Sequence, residues 1–490
     1  MSFNSIEYLI FLPVTVLVCY LLPAKFRKYW LLAASYFFYM SWNPEMAVLI
    51  AGVTAVSYGG AFLTEWLREQ KQKKKLSAFV AGVSVAVCVA VLAYFKYFGF
   101  LAETLQRIIT LAGSGARIPV PEILLPVGIS FFTFQALSYV IDVNRGKIKA
   151  ERNFIIYALF VSFFPQLVAG PIERPDALIP QLKEAHKFTG ENFKEGIVKI
   201  LTGFFKKIAV ADVIASAVDI IYNSPEKSGG LGVIIGTALF AVQIYCDFSG
   251  YTDIATGSAR LLGIKLSKNF DVPYSAVSVR DFWRRWHISL SGWFRDYVYI
   301  PLGGSRKGEA RACLNYLIVF LLSGLWHGAA WHFAAWGLIH GLFIVFERLT
   351  EKFRDGLWRR LKVNPEYGLV KTLRRIATFI SVCFAWIFFR AGSIAEAFGC
   401  IKLIFTDWHA FTLENIGFTV PGLVSAVAGI LVLAAIEKGR LDPEAERGIK
   451  AKRVSQVRNS AYVIVLWAVV AAWLLLMAGS GESAFIYFQF

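Results

Sequence analysis

Long apolar stretches separated by short polar segments set the pattern of this chain. A helix that crosses a bilayer needs about 20 mostly apolar residues, within a range of about 17 to 25. The stretches that approach this length and composition are 7–22, 29–42, 46–64, 77–99, 123–142, 153–170, 195–221, 231–263, 312–325, 329–347, 373–390, 394–406, 420–436 and 461–478. The short ones are expected to be re-entrant or interfacial, because irregular backbone is tolerated only inside protein or beside water. The pattern predicts an all-α, polytopic integral membrane protein with roughly eleven transmembrane helices.

Basic residues after the early apolar stretches indicate the orientation of the chain in the membrane. They follow the first, third and fifth stretches and so share one face: Lys25, Arg27 and Lys28; Arg68, Lys71, Lys73, Lys74 and Lys75; Arg145, Lys147, Lys149 and Arg152. Loops rich in Lys and Arg stay on the cytoplasmic side. The N-terminus is therefore expected outside, with the first apolar stretch retained as a helix.

Composition narrows the class of protein. Of 490 residues, 57% are hydrophobic and 17% are charged, and 51 Lys and Arg against 34 Asp and Glu give a formal net charge of +17. Soluble globular chains carry about 25% charged residues, so an ordinary cytosolic, fibrous or disordered protein is excluded. The six cysteines lie far apart and form no C-x-x-C pair. Neither a disulfide framework nor a metal site is predicted.

The organisation predicted is one polytopic membrane domain over residues 1–480, with a core at about 124–347, followed by a C-terminal aromatic tail at 481–490. The proline-containing stretch 171–196 is predicted to be a long loop. Residues 264–311 interleave apolar, aromatic and charged side chains, so this stretch cannot face lipid. It is expected at the membrane interface or along a polar cavity.

His327 is the first candidate for chemistry, since four of the six histidines fall within residues 287–340. An ionisable group at membrane depth is costly and by default marks a functional site. The residues around His327 are apolar, small or aromatic, and Gly324 and Gly328 allow close approach of a backbone or ligand. Its imidazole can accept a proton from a hydroxyl. The alternative is a core histidine bonded to a neighbouring carbonyl, and residue type alone does not separate the two.

His287 is the second candidate and lies in DFWRRWHISLSGWFRDY, among charged and aromatic residues. On a continuous helix it would lie close to a face made by Trp283, Trp286 and Leu290. One interpretation is a catalytic or positioning group beside a basic entrance for a phosphorylated ligand. The other, which composition alone favours, is an interfacial helix whose Trp and Arg side chains contact lipid headgroups. The remaining histidines carry less signal, and His332 and His340 are interpreted as structural.

Two further segments allow a functional and an ordinary interpretation. In YIPLGGSRKG, the backbone N–H groups of Gly303 and Gly304 could hold a phosphate beside Arg306, or they could form a common turn. The terminal SAFIYFQF could be an interfacial aromatic belt, or a tail that folds back and presents the Tyr487 hydroxyl. The chain has no G-x-x-x-x-G-K-[ST], H-E-x-x-H or G-x-S-x-G motif, so no P-loop, zincin or α/β-hydrolase site is expected.

Several long blocks resemble the membrane-bound O-acyltransferase (MBOAT) family. They are LLPVGISFFTFQALSYVIDV at 124–143, FFPQLVAGPIERP at 163–175, YCDFSGYTDIATG at 245–257, NFDVPYSAVSVRDFWRRWHISLSGWFRDYVYIPLGG from Asn269 and SGLWHG at 323–328. Within that family the chain resembles the bacterial AlgI-like subgroup, which O-acetylates alginate and other exopolysaccharides. The blocks are ordered along most of the chain between about residues 124 and 341, so the resemblance is more specific than any single motif.

The resemblance implies a function and a set of residue roles. It implies an O-acyltransferase in a bacterial inner membrane that takes acetyl from cytoplasmic acetyl-CoA, has no permanently bound cofactor, and serves a polysaccharide acceptor with an SGNH-like extracytoplasmic transferase. His327 matches the essential histidine of the family and His287 its upstream companion, while Tyr487 matches an acyl-relay tyrosine of related systems. Groups expected to contact acetyl-CoA are Arg284, Arg285, Arg295, Arg306 and Trp326.

Two other functions stay open at the level of sequence. A transporter or flippase without covalent chemistry would also use His and Arg within the membrane. A sister subgroup transfers D-alanine to teichoic acids from a carrier-protein thioester, although there the aromatic tail looks to come from a separate small protein. The tail within this chain favours polysaccharide O-acetylation.

Overall fold

The computed structural model describes residues 1–70, 73–119, 123–168, 170–408, 412, 415–441 and 485, and these form helices without a strand. The first helices are α1 Ile6–Leu21, α2 Ala24–Met40, α3 Met46–Glu69, α4 Lys74–Leu111, α5 Ile129–Asn144, α6 Phe154–Ser162, α7 Phe164–Leu167, α8 Pro175–Lys183, α9 Gly190–Phe204 and α10 Asp212–Asn223. The later ones are α11 Pro225–Leu261, α12 Val279–Arg285, α13 Ile288–Phe294, α14 Glu309–His327, α15 Trp331–Leu349, α16 Glu351–Arg360, α17 Gly368–Arg390, α18 Ile394–Thr406 and α19 Val420–Leu441. The all-α prediction is confirmed.

Three shorter helical turns complete the described chain. Phe205–Ala211 and Arg295–Tyr299 are π-helical, and Pro273–Ser275 is a 3₁₀ turn. Within α11, Gly229 has non-helical backbone angles and breaks the helix near its start. Turns of π-helix are rare in proteins and often occur at functional sites, and both of these lie within the predicted core.

Six of the described helices are long and apolar enough to cross a membrane, and α15 with α16 forms a seventh if the bent pair is one span. The chain is therefore a multi-pass membrane protein, as predicted. The count of roughly eleven crossings stays a prediction, and the stretch 461–478 lies outside the described residues. The prediction of a loop at 171–196 is wrong, because α8 occupies part of it with Pro175 in its first turn, where the missing N–H costs no helical hydrogen bond.

The described chain divides into two compact units, Met1–Ile200 with Ile254–Ser267, and Leu201–Asp253 with Lys268–Phe490. In the first unit a buried carboxylate joins α3 to the α5–α6 loop: Glu65 accepts hydrogen bonds from Arg152 at 2.6 Å and from the Ala150 N–H at 3.1 Å. Local signals also start its helices, since Asn153 accepts from the first free N–H groups of α6. The prediction of one domain over 1–480 stays a prediction.

The second unit contains a close helical hairpin formed by α14 and α15. A Cβ atom added to Gly324 would lie 2.2 Å from the Phe333 carbonyl oxygen, and one added to Gly337 would lie 2.2 Å from the Phe320 carbonyl oxygen. The two backbones therefore approach more closely than any larger residue would permit. This approach fixes the end of α14, and His327 is its last residue.

Candidate active site

His287 lies at a break between two short helices of the second unit. The continuous helix considered for this segment is wrong, because α12 ends at Arg285 and α13 begins at Ile288. His287 has φ 40° and ψ 54°, in the left-handed region, and its side chain is fully buried. A residue other than glycine in that region costs about 1–3 kcal/mol and persists only where its surroundings fix it.

Asn269 holds His287 from the side. Its Oδ1 lies 3.1 Å from His287 Nδ1 and accepts hydrogen bonds from the Ser289 hydroxyl at 2.9 Å and the Ser289 N–H at 3.3 Å. Its backbone carbonyl accepts from the Ile288 N–H at 2.9 Å. Sequence reasoning missed Asn269, although it opens the long block that carries the family resemblance. The one indication in the sequence was that Asn269 is a polar, uncharged residue in a stretch that cannot face lipid.

His327 is 3% exposed and sits among aromatic rings. Its ring centre lies 5.0 Å from that of Trp326, 5.0 Å from that of Trp336 and 5.6 Å from that of Phe389, each in an edge-to-face arrangement. The flanking Gly328 is also tightly packed, because an added Cβ would lie 2.0 Å from the Phe333 ring. The wall around His327 is apolar and leaves little room for bulk water.

The structure brings the two candidate histidines together. The ring centres of His287 and His327 are 6.3 Å apart with their planes at 61°, and Trp326 lies 5.7 Å from His287. Two imidazoles at this spacing, both buried and lined by indole rings, can act on one small reacting group. Of the residues predicted for the site, His287, His327 and Trp326 therefore share one place.

The predicted arginines lie in different surroundings. Arg285 is tied to the Asp281 carboxylate at 3.0 Å, Arg295 pairs with Asp296 at 2.8 Å, and Arg284 and Arg306 are exposed. None of the contacts described for these residues joins them to the histidines, and their role in binding acetyl-CoA stays a prediction. The N–H groups of Gly303 and Gly304 donate to carbonyls of the preceding turn, which matches the ordinary-turn interpretation.

The other described histidines are engaged by single partners. His340 Nδ1 accepts a hydrogen bond from the Trp283 indole N–H at 3.2 Å, and His332 Nδ1 lies 3.1 Å from the Phe388 carbonyl oxygen. His186 Nε2 lies 2.8 Å from the Gln181 carbonyl oxygen. Across the described residues, no group of three or more His, Cys, Asp or Glu side chains is placed to hold a metal ion.

The C-terminal tail is represented by Phe485, since Tyr487 lies outside the described residues. Phe485 is 1% exposed, and its ring centre lies 4.0 Å from that of Tyr251 and 6.0 Å from that of Phe248, both on α11. Phe248 in turn meets the His287 ring edge-on at 4.7 Å. Phe485 is thus buried in protein, one aromatic ring away from His287.

A charged cluster supports the part of α11 against which Phe485 packs. Lys207 on the π-helical turn pairs with Asp247 at 2.7 Å and Asp212 at 2.9 Å, and Lys206 pairs with Asp253 at 2.7 Å. Both lysines are almost fully buried. Buried charges of this kind need close partners, so the pairs fix the π-helical turn against α11.

Comparisons with known proteins place the chain in a family. The sequence model of the membrane-bound O-acyltransferase family matches residues 147–360. A probable alginate O-acetylase AlgI of Pseudomonas aeruginosa is 37% identical over 439 residues, covering 89% of this chain and 81% of the relative. The Azotobacter vinelandii protein of the same name is 36% identical over the whole length of both chains. A peptidoglycan O-acetyltransferase of Helicobacter pylori is 33% identical, covering 80% of this chain and 77% of the relative.

The chain belongs to the membrane-bound O-acyltransferase family, and the family resemblance of the sequence is confirmed. It is an O-acyltransferase built from membrane helices. The buried pair of His287 and His327, the aromatic residues around His327 and the buried Phe485 are the features of the described structure that bear on its chemistry.

Proposed function

We propose that this protein transfers an acetyl group from cytoplasmic acetyl-CoA across a bacterial inner membrane, for O-acetylation of an extracytoplasmic polysaccharide. The observation that carries the proposal is the buried pair of His287 and His327, 6.3 Å apart inside an aromatic wall. Relatives named for acetylation of alginate and of peptidoglycan support acetyl as the group and a glycan as the acceptor.

The reaction proposed at the pair is a general-base acyl transfer. His327 takes the proton of an acceptor hydroxyl, the oxygen attacks the thioester carbonyl carbon, and the C–S bond breaks. The sulfur leaves with the proton that His327 received, giving an O-acetyl ester and CoA–SH. General-base catalysis contributes about 10²- to 10⁴-fold, and His287 assists at the same centre. The aromatic wall keeps out water, which would otherwise hydrolyse the thioester.

Acetyl-CoA is proposed to bind on the cytoplasmic side through its phosphates. Arginine is well suited to phosphate because its planar guanidinium donates two parallel hydrogen bonds. Arg284, Arg295 and Arg306 have exposed side chains that are proposed for this, although Arg295 also pairs with Asp296, and Arg285 pairs with Asp281. Trp326, which packs against both histidines, is proposed to contact the acyl end of the donor.

The Tyr487 hydroxyl is proposed as the first acceptor, forming an acetyl-tyrosine that an SGNH-like partner passes to the polysaccharide. The support is Phe485, buried one ring away from His287. Tyr487 follows Phe485 by two residues, and two residues of extended chain span at most about 7 Å.

The experiment is mass spectrometry of the intact protein and its C-terminal peptide after incubation with isotopically labelled acetyl-CoA. Wild type is compared with His327→Ala, Tyr487→Phe and Phe485→Ala. The expected result is label on the peptide that contains Tyr487 in wild type, none in the first two variants, and slower labelling in Phe485→Ala because docking is weakened.

Other outcomes would select another mechanism. CoA release by wild type without label on the tail would keep the enzyme and reject the relay. No turnover of acetyl-CoA, with or without a glycan acceptor, would reject the acetyl-CoA donor. A D-alanyl carrier-protein thioester would then be tested next. Flux of a substrate across proteoliposomes that survives His327→Ala would favour a transporter.

A further inference from the structure

The hydrogen bonds of Asn269 identify which of its side-chain atoms faces His287. The atom that lies 3.1 Å from His287 Nδ1 also accepts a hydrogen bond from the backbone N–H of Ser289 at 3.3 Å. A backbone N–H can only donate, so that atom is the amide oxygen and not the amide nitrogen. The orientation of Asn269 therefore follows from a group whose hydrogen-bonding role is fixed, which is not so for most asparagine side chains.

This orientation decides the tautomer of His287. An amide oxygen only accepts, so His287 Nδ1 must carry a proton and donate it to Asn269. Residue 287 lies outside the candidate membrane spans, and burial lowers the pKa of its imidazole well below the usual value, which keeps the ring neutral at pH 7. A neutral imidazole has one N–H, so Nε2 holds the lone pair.

We propose that Asn269 is a positioning residue that fixes His287 as the Nδ1–H tautomer and so assigns it the role of a proton or hydrogen-bond acceptor at the site. The inference deepens the proposed function and rests on it. It specifies how His287 assists: Nε2 receives a hydrogen bond from the acceptor hydroxyl or from the thiol of CoA, and it does not donate one to the thioester carbonyl.

The backbone of Asn269 supports the same arrangement. Its carbonyl accepts the Ile288 N–H at 2.9 Å, so one residue contacts the strained position and the two residues that follow it. The Ser289 hydroxyl adds a bond to the amide oxygen at 2.9 Å. Asn269 is itself 1% exposed, so water does not compete for these bonds. A base held in one tautomer by a third group is a recurring device in catalysis.

The test compares Asn269→Leu with the conservative Asn269→Asp in full-length protein reconstituted in lipid. Asn153→Ala is the matched control, because it removes a hydrogen-bonding asparagine side chain at the start of α6 in the other unit. We measure kcat and KM for acetyl-CoA between pH 5 and pH 9, scaled to folded protein. In parallel, solid-state ¹⁵N NMR of histidine-labelled protein reports which ring nitrogens are protonated, and His287→Gln identifies the signals of His287.

We expect Asn269→Leu to lower kcat at least about tenfold with KM little changed, since orienting a base is part of its 10²- to 10⁴-fold effect. Asn269→Asp keeps the acceptor and should restore most of kcat. Its carboxylate raises the pKa of His287, so the acid limb of the pH profile should move to higher pH. Asn153→Ala should leave kcat and the pH profile unchanged. In wild type, the His287 signals should show protonated Nδ1 and unprotonated Nε2.

Two results would overturn the assignment: protonated Nε2 on His287 in wild type, or wild-type kcat in Asn269→Leu. The NMR measurement needs no turnover. If wild type does not consume acetyl-CoA, the proposed function fails while the tautomer is still decided by the spectrum.

Discussion

His287 and His340 are both fully buried, yet their surroundings place the proton on opposite ring nitrogens. His287 Nδ1 donates to the Asn269 amide oxygen, which leaves the lone pair on Nε2. His340 Nδ1 accepts from the Trp283 indole, which can only donate, so its own lone pair is already used. Burial alone therefore does not make a histidine a base. The group that contacts Nδ1 decides which ring nitrogen keeps a lone pair able to accept a proton.

The two regions also differ in what holds their backbone. His287 has a strained left-handed conformation in a loop, and hydrogen bonds to Asn269 fix it. His340 lies within α15, an unstrained helix whose backbone contacts α14 at Gly337. Strain is retained where a site needs an unusual geometry, whereas close helix packing is a general means of stability. We infer that the first region is built for chemistry and the second for packing.

The largest expected effect is the loss of activity when His287, which assists His327 through its Nε2 lone pair, is removed. His287→Ala should lower acetyl transfer by about 10²- to 10⁴-fold, because the acceptor nitrogen is lost. His340→Gln should retain activity close to wild type, because the glutamine oxygen can still accept the Trp283 N–H. Initial rates of CoA release from acetyl-CoA measure both. Equal losses of activity in the two variants would contradict the view that the His287 region serves chemistry and the His340 region serves packing.

Sequence patterns were sufficient for the class of fold. The apolar stretches predicted helices that the structure contains, and the family resemblance identified the class of enzyme. The helix at 175–183 was missed because a proline was taken as a helix breaker, although Pro175 occupies a first turn where it is tolerated. The π-helical turn at 205–211 has no signal in periodicity, and ion pairs such as Lys207 with Asp247 join residues far apart in the sequence.

The site was only partly accessible from sequence. Residue type and resemblance named His287 and His327, but their distance of 6.3 Å depends on α14 and on the break before α13. Asn269 was missed because it lies 18 residues from His287 along the chain and has no charge to mark it. Hydrogen-bond direction, which decides the tautomer, is a property of three-dimensional contacts and is absent from any sequence pattern.

The next largest effect is expected where α14 and α15 pack closely at Gly337. In Gly337→Ala the new methyl group would meet the Phe320 carbonyl oxygen, so α14 and α15 must separate. Overpacking of this kind costs about 1–3 kcal/mol, and it should also lower activity because His327 ends α14. Gly399→Ala on α18 is the control, since an added Cβ there meets no atom within 4 Å. Thermal unfolding in detergent measures both, and equal stability of the two variants would contradict a packing constraint at Gly337.

Substitution of His340 is expected to cost a comparable amount of stability and to leave catalysis by the folded enzyme unchanged. His340→Leu removes the acceptor of a buried indole N–H, which should cost about 1–3 kcal/mol in stability. His340→Gln keeps an acceptor and should cost less. Both are followed by thermal unfolding, with CoA release measured on the protein that stays folded. If His340→Leu inactivates the folded enzyme, His340 takes part in chemistry and the comparison with His287 is wrong.

The smallest expected effect is the coupling between Trp283 and His340. Trp283→Phe removes the donor, His340→Leu removes the acceptor, and the double variant leaves neither group unsatisfied. Because an orphaned partner is what makes each single change costly, the double variant should be less destabilised than the sum of the singles, by about 0.5–1.5 kcal/mol. Unfolding free energies of the four proteins measure this difference. Additive costs would mean that the 3.2 Å contact does not hold the His340 tautomer, and the opposite protonation of the two histidines would lose one of its two supports.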